Sequence, residues 1–156
     1  MPQSLDEIDL KLIEELERDA DRSNVELARL IGLSPAATLN RVRRLKESGL
    51  ITRIAARLDP DVAGFPLRVY VTVTLAYNDE TSESRFASVV RKLPQVIAAD
   101  YVAGETDALL VVVARDVAEL QRVLLLLQAR GGAQRVITHL RLAPIKPESP
   151  LPLRSG

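Results

Sequence analysis

The sequence contains no cysteine and no tryptophan, and histidine occurs only once among its 156 residues. The absence of cysteine excludes disulfides, thiolate metal ligands and a thiol nucleophile. The single histidine, His139, lacks the companions that a metal site or a Ser/His/Asp set requires, and no glycine-rich phosphate loop occurs. These absences predict a protein that has no catalytic residues, no metal and no cofactor, and that is not an enzyme.

Long apolar runs are also missing. No stretch approaches the roughly 20 apolar residues of a membrane span, so the four leucines at 124–127 are predicted to lie in a core or an interface. The N-terminal MPQSLDEIDLK lacks the basic-then-apolar order of a signal peptide. Because 47% of the residues are hydrophobic, the chain can form a real core. We expect a cytoplasmic protein with no membrane partner.

The formal net charge is zero, but the charges are segregated along the chain. Residues 6–33 hold nine acids and four bases, a net charge of −5, whereas residues 34–58 hold six bases and one acid, a net charge of +5. This distribution predicts one local surface that attracts phosphate, while zero overall charge argues against non-specific coating of DNA.

Three short helices are predicted in the first sixty residues. The first carries apolar residues at three- and four-residue steps between 5 and 16. The second begins at a capping box on Ser23 and ends at Gly32, and the third begins two residues later at Ser34, followed by proline. Two short helices joined by a tight glycine turn, the second of them basic, are typical of a helix-turn-helix.

The third helix bears most of the basic residues. A helical wheel predicts that Leu39, Val42 and Leu45 are buried, whereas Ala37, Asn40, Arg41 and Arg44 point away. Asparagine and arginine suit base edges and phosphates, which favours double-stranded DNA as a partner over an ordinary solvated basic helix. The apolar, β-branched segment at 50–58 predicts a short strand or wing. The predicted DNA-binding residues are Ser34, Ala37, Thr38, Asn40, Arg41, Arg43, Arg44, Arg53 and Arg57.

Strand and helix signals alternate in the second half. Strands are predicted at 67–76, on both sides of Gly104 and after Gly132, and helices at 82–93 and 116–130. The order βαββαβ predicts an antiparallel four-stranded sheet. We therefore expect an α+β protein made of a helix-turn-helix domain over 1–59, a linker at 60–66, a ferredoxin-like βαββαβ domain over 67–146 and a proline-rich tail over 147–156.

The sheet carries more apolar residues than one small domain can bury. Both alternating positions of ALLVVVA at 108–114 are apolar, and two helices cover only one face of such a sheet. A second copy of the chain is the simplest cover for the other face, and a symmetric dimer also suits a palindromic DNA site. The alternative is a merely hydrophobic sheet crossed by loops.

Taken in order along the chain, several segments resemble the Lrp/AsnC (leucine-responsive regulator and asparagine activator, "feast/famine") transcription factors. They are LDEIDLKLIEELERDAD, NVELARLIGLSP, RVRRLKESGLI, RLDPDVAGF, LPQV, VAGETDALLVVVARD and HLRLAPIK. The resemblance covers nearly the whole chain. It implies a winged helix-turn-helix joined to a dimerising βαββαβ regulatory domain of the RAM/AsnC type, with dimers that assemble further to tetramers or octamers.

The resemblance also implies a small effector, usually an amino acid, held near a Gly-Asp/Glu-x-Asp loop. In this chain the loop predicts effector-binding residues Ala103, Gly104, Glu105, Thr106 and Asp107, with Glu105 or Asp107 holding an α-ammonium group. The alternative is a simple β-hairpin turn with solvated acids. Asn40 stands where many members have arginine and Ala108 where an aromatic residue is frequent, so the DNA site and the pocket shape are expected to differ.

Two alternative functions have features in common with this sequence. Sirohaem decarboxylases resemble the same two-domain layout, but AADYVAGE at 98–105 lacks the histidine-bearing segment expected of them. An architectural protein that bridges DNA without an effector would bind with a steep salt dependence and little sequence preference. The sequence favours a sequence-selective, homo-oligomeric transcriptional regulator.

Overall fold

The computed structural model describes residues 5–76, 80–147 and 149–153. These residues form two compact units, one from the described parts of Met1–Ala56 and Lys146–Gly156, the other from those of Arg57–Ile145. No described helix is long and apolar enough to cross a membrane. The elements are α1 (Glu7–Arg18), α2 (Asn24–Ile31), α3 (Pro35–Glu47), β1 (Leu67–Leu75), α4 (Glu80–Arg91), β2 (Val96–Tyr101), β3 (Ala108–Ala114), α5 (Val117–Ala129) and β4 (Ala133–Leu140).

The caps that set the three N-terminal helices are largely those that the sequence predicts. Ser23 and Glu26 form a reciprocal capping box at the start of α2, and the Ser34 side chain accepts the N–H of Ala37 at the start of α3. Gly32 closes α2 with φ = 73°, a left-handed conformation that glycine adopts without steric penalty. The turn between α2 and α3 is therefore fixed by local chemistry.

The core of the first unit is small and apolar. Leu12, Ile13, Leu27 and Leu45 are buried together, and Val42 packs against them. The predicted strand or wing at 50–58 is wrong as a strand, because this segment has no regular secondary structure. A strand requires a hydrogen-bonded neighbour, and no ladder among the described residues includes this segment.

The described residues of the proline-rich tail have no regular secondary structure and belong to the first unit. Leu151 and Leu153 line a cavity of about 400 Å³ together with Ile13 and Leu16 of α1 and the segment 50–55. The tail therefore contributes apolar surface to the helix-turn-helix unit, which its composition did not predict.

The second unit is an antiparallel four-stranded sheet with strand order β2-β3-β1-β4 and two helices on one face. Alternate residues of the two central strands point at α4 and α5 and form the core, and β4 contributes Ala133 at its edge. The buried residues of this core are Val69, Val71, Val73, Leu75, Phe86, Ala108, Leu110, Val112, Val123, Leu127 and Ala133. The predicted α+β class and βαββαβ order are confirmed.

A buried carboxylate fixes the junction between β3 and α5. The Glu119 side chain accepts the backbone N–H of Arg115 at 2.8 Å, its Nε at 3.0 Å and the Nε2 of Gln95 at 2.9 Å. The Arg115 guanidinium and backbone N–H, helped by Gln95, lower the pKa of Glu119 to about 2. Asp116 caps the helix by accepting the N–H of Glu119 at 2.6 Å.

The other face of the sheet is mixed in polarity and carries an apolar patch that is only partly covered within one chain. Leu109 and Ile137 flank Thr72 in one row across the strands, and Tyr70 lies beside Val111 in the next row. Leu109, Ile137 and Tyr70 are each exposed. Because Leu110 and Val112 face the helices, the residues of β3 available for a partner are those at the other alternation, Leu109 and Val111.

Candidate functional site

The buried face of α3 differs from the predicted one. Thr38 is fully buried at 0% exposure, and its hydroxyl donates to the carbonyl oxygen of Ser34 at 3.0 Å, whereas Leu39 is 48% exposed. The helix is thus turned so that Thr38, Val42 and Leu45 point inward. The predicted buried position of Leu39 is wrong, and Thr38 does not lie on a surface that DNA can reach.

The predicted outward orientation holds for Arg44, whose side chain is 49% exposed, and only in part for Arg41, whose side chain is 25% exposed, but both arginines are paired with acids at the start of α1. Asp9 on α1 is 1% exposed, and its two carboxylate oxygens accept Arg41 Nη1 at 2.8 Å and Arg44 Nη2 at 2.5 Å. Arg41 Nη1 also donates to Asp6 at 2.7 Å. These two arginines neutralise a buried carboxylate, because a buried charge requires a partner.

Two pKa shifts follow from this cluster. The backbone N–H of Asp9 and then the Arg41 guanidinium lower the pKa of Asp6, which is stabilised as a carboxylate. The hydrogen bonds to Asp6 and Asp9 raise the pKa of Arg41. We define these four residues, Asp6, Asp9, Arg41 and Arg44, as the α1–α3 ion cluster.

The outward face of α3 is formed by Ala36, Leu39, Asn40 and Arg43, all exposed. Their spacing of three and four residues places them on one side of the helix. Within the described part of the chain, neither Asn40 nor Arg43 has a side-chain hydrogen bond or ion pair. An unpaired amide and an unpaired guanidinium side by side are suited to a nucleic-acid surface.

The remaining predicted DNA-binding residues lie at the start of α3 or beyond its end. Ser34, at the N-cap, and Ala37, in the first turn, surround a helix N-terminus, where backbone N–H groups favour phosphate. Arg53 is exposed in the segment after α3. Arg57 is exposed and is the first residue of the second unit.

The predicted effector loop is bonded to the central strand β1. Thr106 donates its hydroxyl to the carbonyl oxygen of Val73 at 2.7 Å, and the Asp107 carboxylate accepts the N–H of Leu75 at 2.7 Å. Gly104 has φ = 141°, which favours glycine, and a Cβ there would meet no atom within 4 Å. Asp107 thus holds the loop in place, and Glu105 is the acid left exposed on it.

A cavity of about 240 Å³ lies beside this loop on the sheet face away from the helices. Glu105 and Thr106 line it together with Thr72 and Thr74 of β1 and Arg135 and Ile137 of β4. Thr74 is the cross-strand partner of Arg135, and Thr72 that of Ile137. The cavity therefore combines a cation, an anion, three hydroxyl groups and one apolar side chain.

Sequence reasoning missed the contribution of β1 and β4 to this cavity. The alternation of both strands predicts which residues share a face, but the pairing register that brings Thr74 opposite Arg135 is not visible in either strand alone. Among the described residues no group of three acids or histidines is arranged to hold a metal ion.

Two family models match the chain, one to each half. Residues 5–52 match a model described as winged helix-turn-helix DNA-binding, and residues 68–151 match the Lrp/AsnC ligand binding domain. Together with the fold, these matches define a DNA-binding transcriptional regulator with a separate ligand-binding domain.

Whole-chain relatives agree with this class. The leucine-responsive regulatory protein of Rhizobium meliloti is 36% identical over 143 residues, which cover 91% of this chain and 92% of that protein. The protein of the same name from Haemophilus influenzae is 35% identical over 121 residues, covering 78% and 73%. The chain belongs to the Lrp/AsnC family of transcriptional regulators, and these relatives are regulators rather than enzymes.

Solved structures show the same fold. A transcriptional regulator of Neisseria meningitidis in complex with L-Met superposes with a TM-score of 0.89 at 30% identity, covering 96% of this chain and 97% of that one. An AsnC family transcriptional regulator from Agrobacterium tumefaciens gives a TM-score of 0.85 at 28% identity, covering 95% and 97%.

Proposed function

We propose that this chain is a sequence-selective, cytoplasmic DNA-binding regulator whose oligomer responds to an amino acid. The observation that carries the DNA-binding part is the outward face of α3, where Asn40 and Arg43 have no described partner. In a helix-turn-helix the second helix enters the major groove and presents its N-terminal residues to base edges. Here the second helix is α3, and its start at Ser34 also offers N–H groups to a phosphate.

Two adjacent arginines provide a matched test of this interface. Arg43 is exposed and unpaired among the described residues, whereas Arg44 bonds to the buried Asp9. Arg43→Ala should weaken DNA binding without lowering stability, because it removes a contact only to DNA. Arg44→Ala should lower stability, because it leaves Asp9 with Arg41 as its remaining cation.

The measurement is fluorescence anisotropy on DNA from upstream of the gene, with a scrambled duplex beside it and urea unfolding in parallel. Unchanged affinity of Arg43→Ala for both duplexes would contradict the proposed orientation of α3. Equal affinity of the wild-type protein for both duplexes would instead favour an architectural protein.

For the effector we propose a free α-amino acid bound in the cavity beside Glu105. Arg135 can pair with the α-carboxylate and Glu105 with the α-ammonium group, while the hydroxyls of Thr72, Thr74 and Thr106 supply hydrogen bonds. The L-Met complex of the Neisseria meningitidis relative supports this class of ligand. The small volume, about 240 Å³, also fits a small ligand better than a nucleotide or a peptide.

The effector proposal is tested by repeating the DNA titration with each amino acid in turn. Glu105→Gln and Arg135→Gln should abolish the shift that the active amino acid causes and leave DNA affinity without effector unchanged. Asp100→Asn serves as a control, because Asp100 is an exposed acid on β2 that does not line this cavity. A normal response in both cavity variants would place the effector elsewhere.

We further propose that the apolar patch on the helix-free sheet face of the second unit forms a homodimer, which assembles to tetramers or octamers. Tyr70, Leu109, Val111 and Ile137 lie together on that face, and an exposed apolar patch of this kind marks an interface. Two copies related by a twofold axis would also present two α3 helices to a palindromic site.

A further inference from the structure

The outward face of α3 contains a large apolar side chain that DNA binding through charge does not explain. Leu39 is 48% exposed in the second turn of the helix, between the small exposed Ala36 and the unpaired Arg43. Its neighbour in sequence, Asn40, is also exposed and has no side-chain partner among the residues described. Single exposed leucines are common, but Leu39 lies on the face that also presents Asn40 and Arg43, so it is placed to contact an apolar group in a DNA groove.

The major groove offers one such partner. Each A·T pair presents the thymine C5-methyl group beside the N6 and N7 atoms of adenine, and asparagine can bond to both of these atoms. The C5-methyl group is the apolar element of this pattern. Leu39 and Asn40 therefore match the chemistry of an A·T pair: Leu39 would contact the thymine methyl group, and Asn40 would bond the adenine edge.

We propose that Leu39 is a specificity-determining residue that contacts thymine methyl groups, with Ala36 beside it. This inference rests on the proposed DNA-binding function. It adds the class of DNA sequence that is read, namely a half-site with A·T pairs where the second turn of α3 lies in the groove. Arg43, one turn further along the same face, then lies within reach of a guanine edge or a phosphate. Glu47, the only acid of the helix, lies at its far end, away from the residues that enter the groove.

Charge complementarity commits this surface to DNA rather than to a protein partner. Arg41 and Arg44 of this segment are paired with acids of α1, but the exposed bases Arg43 and Lys46 lie on the same helix as Leu39, and Arg53 lies in the segment after it, each without a described acidic partner. DNA is a polyanion with thymine methyl groups in its major groove, so it complements both the basic residues and the exposed Leu39.

Deoxyuridine provides the decisive probe, because it pairs as thymidine does but lacks the C5-methyl group. The wild-type protein would first select its site from random duplexes, and each thymidine of that site would then be replaced singly by deoxyuridine. Burial of one methyl group is worth about 0.8 kcal/mol, or roughly a fourfold change in Kd. We expect a loss of this size at one or two positions with the wild-type protein and no loss at those positions with Leu39→Ala.

Leu30→Ala is the matched control. Leu30 is an equally exposed leucine of α2 in the same unit, so its variant should retain the wild-type sensitivity to deoxyuridine. Hydrogen exchange of α3 would verify that Leu39→Ala folds as the wild type does. A selected site that shows no sensitivity to deoxyuridine, or a sensitivity that persists in Leu39→Ala, would overturn the inference while leaving the DNA-binding function intact. Failure of the wild-type protein to select any sequence would overturn the proposed function, and the inference with it.

Discussion

The buried carboxylate of Asp9 should be the most sensitive charged position of the helix-turn-helix unit. It is 1% exposed and holds two arginines of α3 through hydrogen bonds of 2.8 and 2.5 Å. Asp9→Ala removes two ion pairs between α1 and α3 and leaves Arg41 with Asp6 as its remaining partner, while Leu12 and Leu45 still pack in one core. We expect the change to loosen α1 and α3 relative to the packed core.

The magnitude follows from what remains after the substitution. Removing one partner of a buried ion pair costs about 3–5 kcal/mol when the other charge stays buried and unpaired. Here the Arg41 and Arg44 side chains are partly exposed and can be hydrated after the substitution. We therefore expect Asp9→Ala to lower the free energy of unfolding by about 2–3 kcal/mol. For a domain of this size that corresponds to a fall in Tm of roughly 10–20 °C.

The assay must resolve the helix-turn-helix unit within the full chain. Amide hydrogen exchange of the peptides that span α1 and α3 reports the free energy of opening locally, and the peptides of the sheet serve as an internal reference. Asp6→Ala is the graded comparison: Asp6 caps α1 by accepting the N–H of Asp9 at 2.7 Å and also bonds Arg41, so it should cost the usual loss for an N-cap, and less than Asp9→Ala. Wild-type protection of α1 in Asp9→Ala would refute the reasoning that the ion cluster stabilises this unit.

Three further predictions concern the second unit. Glu119→Gln should lower the urea midpoint at pH 7 and make that midpoint less sensitive to acid. The pKa of Glu119 in the folded protein is about 2, below its ordinary value of 4.5, so its stabilisation is present above about pH 4.5 and is lost as the pH falls toward 2. A variant whose urea midpoint depends on pH as that of the wild type does would contradict this. Val111→Glu should give monomers by sedimentation, whereas the exposed Val117→Glu on α5 should not; intact oligomers in the first variant would refute dimerisation through the sheet face. Gly131→Ala should cost about 1–3 kcal/mol in urea unfolding, because its Cβ would lie 2.4 Å from the Leu127 carbonyl oxygen, and wild-type stability would show that the backbone adjusts.

Local signals predicted the elements well. The Ser23 capping box, the αL glycine at 32 and the Ser-Pro start of α3 each act within a few residues, so the sequence alone locates the helices and their tight turn. The alternation of β1 likewise predicts a strand with one buried face. In these cases the residues that cause the local structure are neighbours in the sequence, so the sequence pattern shows them directly.

Long-range interactions explain what was missed. The helical wheel predicts a buried Leu39 from the apolar residues of α3 alone. The observed orientation instead satisfies contacts with α1, because Val42 and Leu45 pack in the core with Leu12, and Arg41 and Arg44 bond Asp9, some thirty residues earlier. In this orientation Thr38 faces the core and Leu39 faces solvent. In the same way, the contribution of Arg135 to the effector cavity depends on the register between β1 and β4, which no local pattern contains.

The ion cluster also changes how the basic segment should respond to salt. Residues 34–58 contain six bases, and the release of one counterion for each would give a slope of about −5 in log K against log salt for each subunit. Because Arg41 and Arg44 already neutralise Asp6 and Asp9, the unpaired bases that this segment contributes to the first unit are Arg43, Lys46 and Arg53. We therefore expect a slope of about −3 per subunit.

Titrations of the wild-type protein between 50 and 200 mM salt measure this slope directly, with Arg43→Ala and Arg41→Ala as a pair. Arg43→Ala should reduce the slope by about 1, because it removes one phosphate contact, whereas Arg41→Ala should leave it nearly unchanged. A wild-type slope near −5 that both variants reduce equally would mean that DNA displaces Asp9 from the arginines. In that case the α1–α3 ion cluster would be a contact that DNA binding breaks, and not a fixed support of the helix.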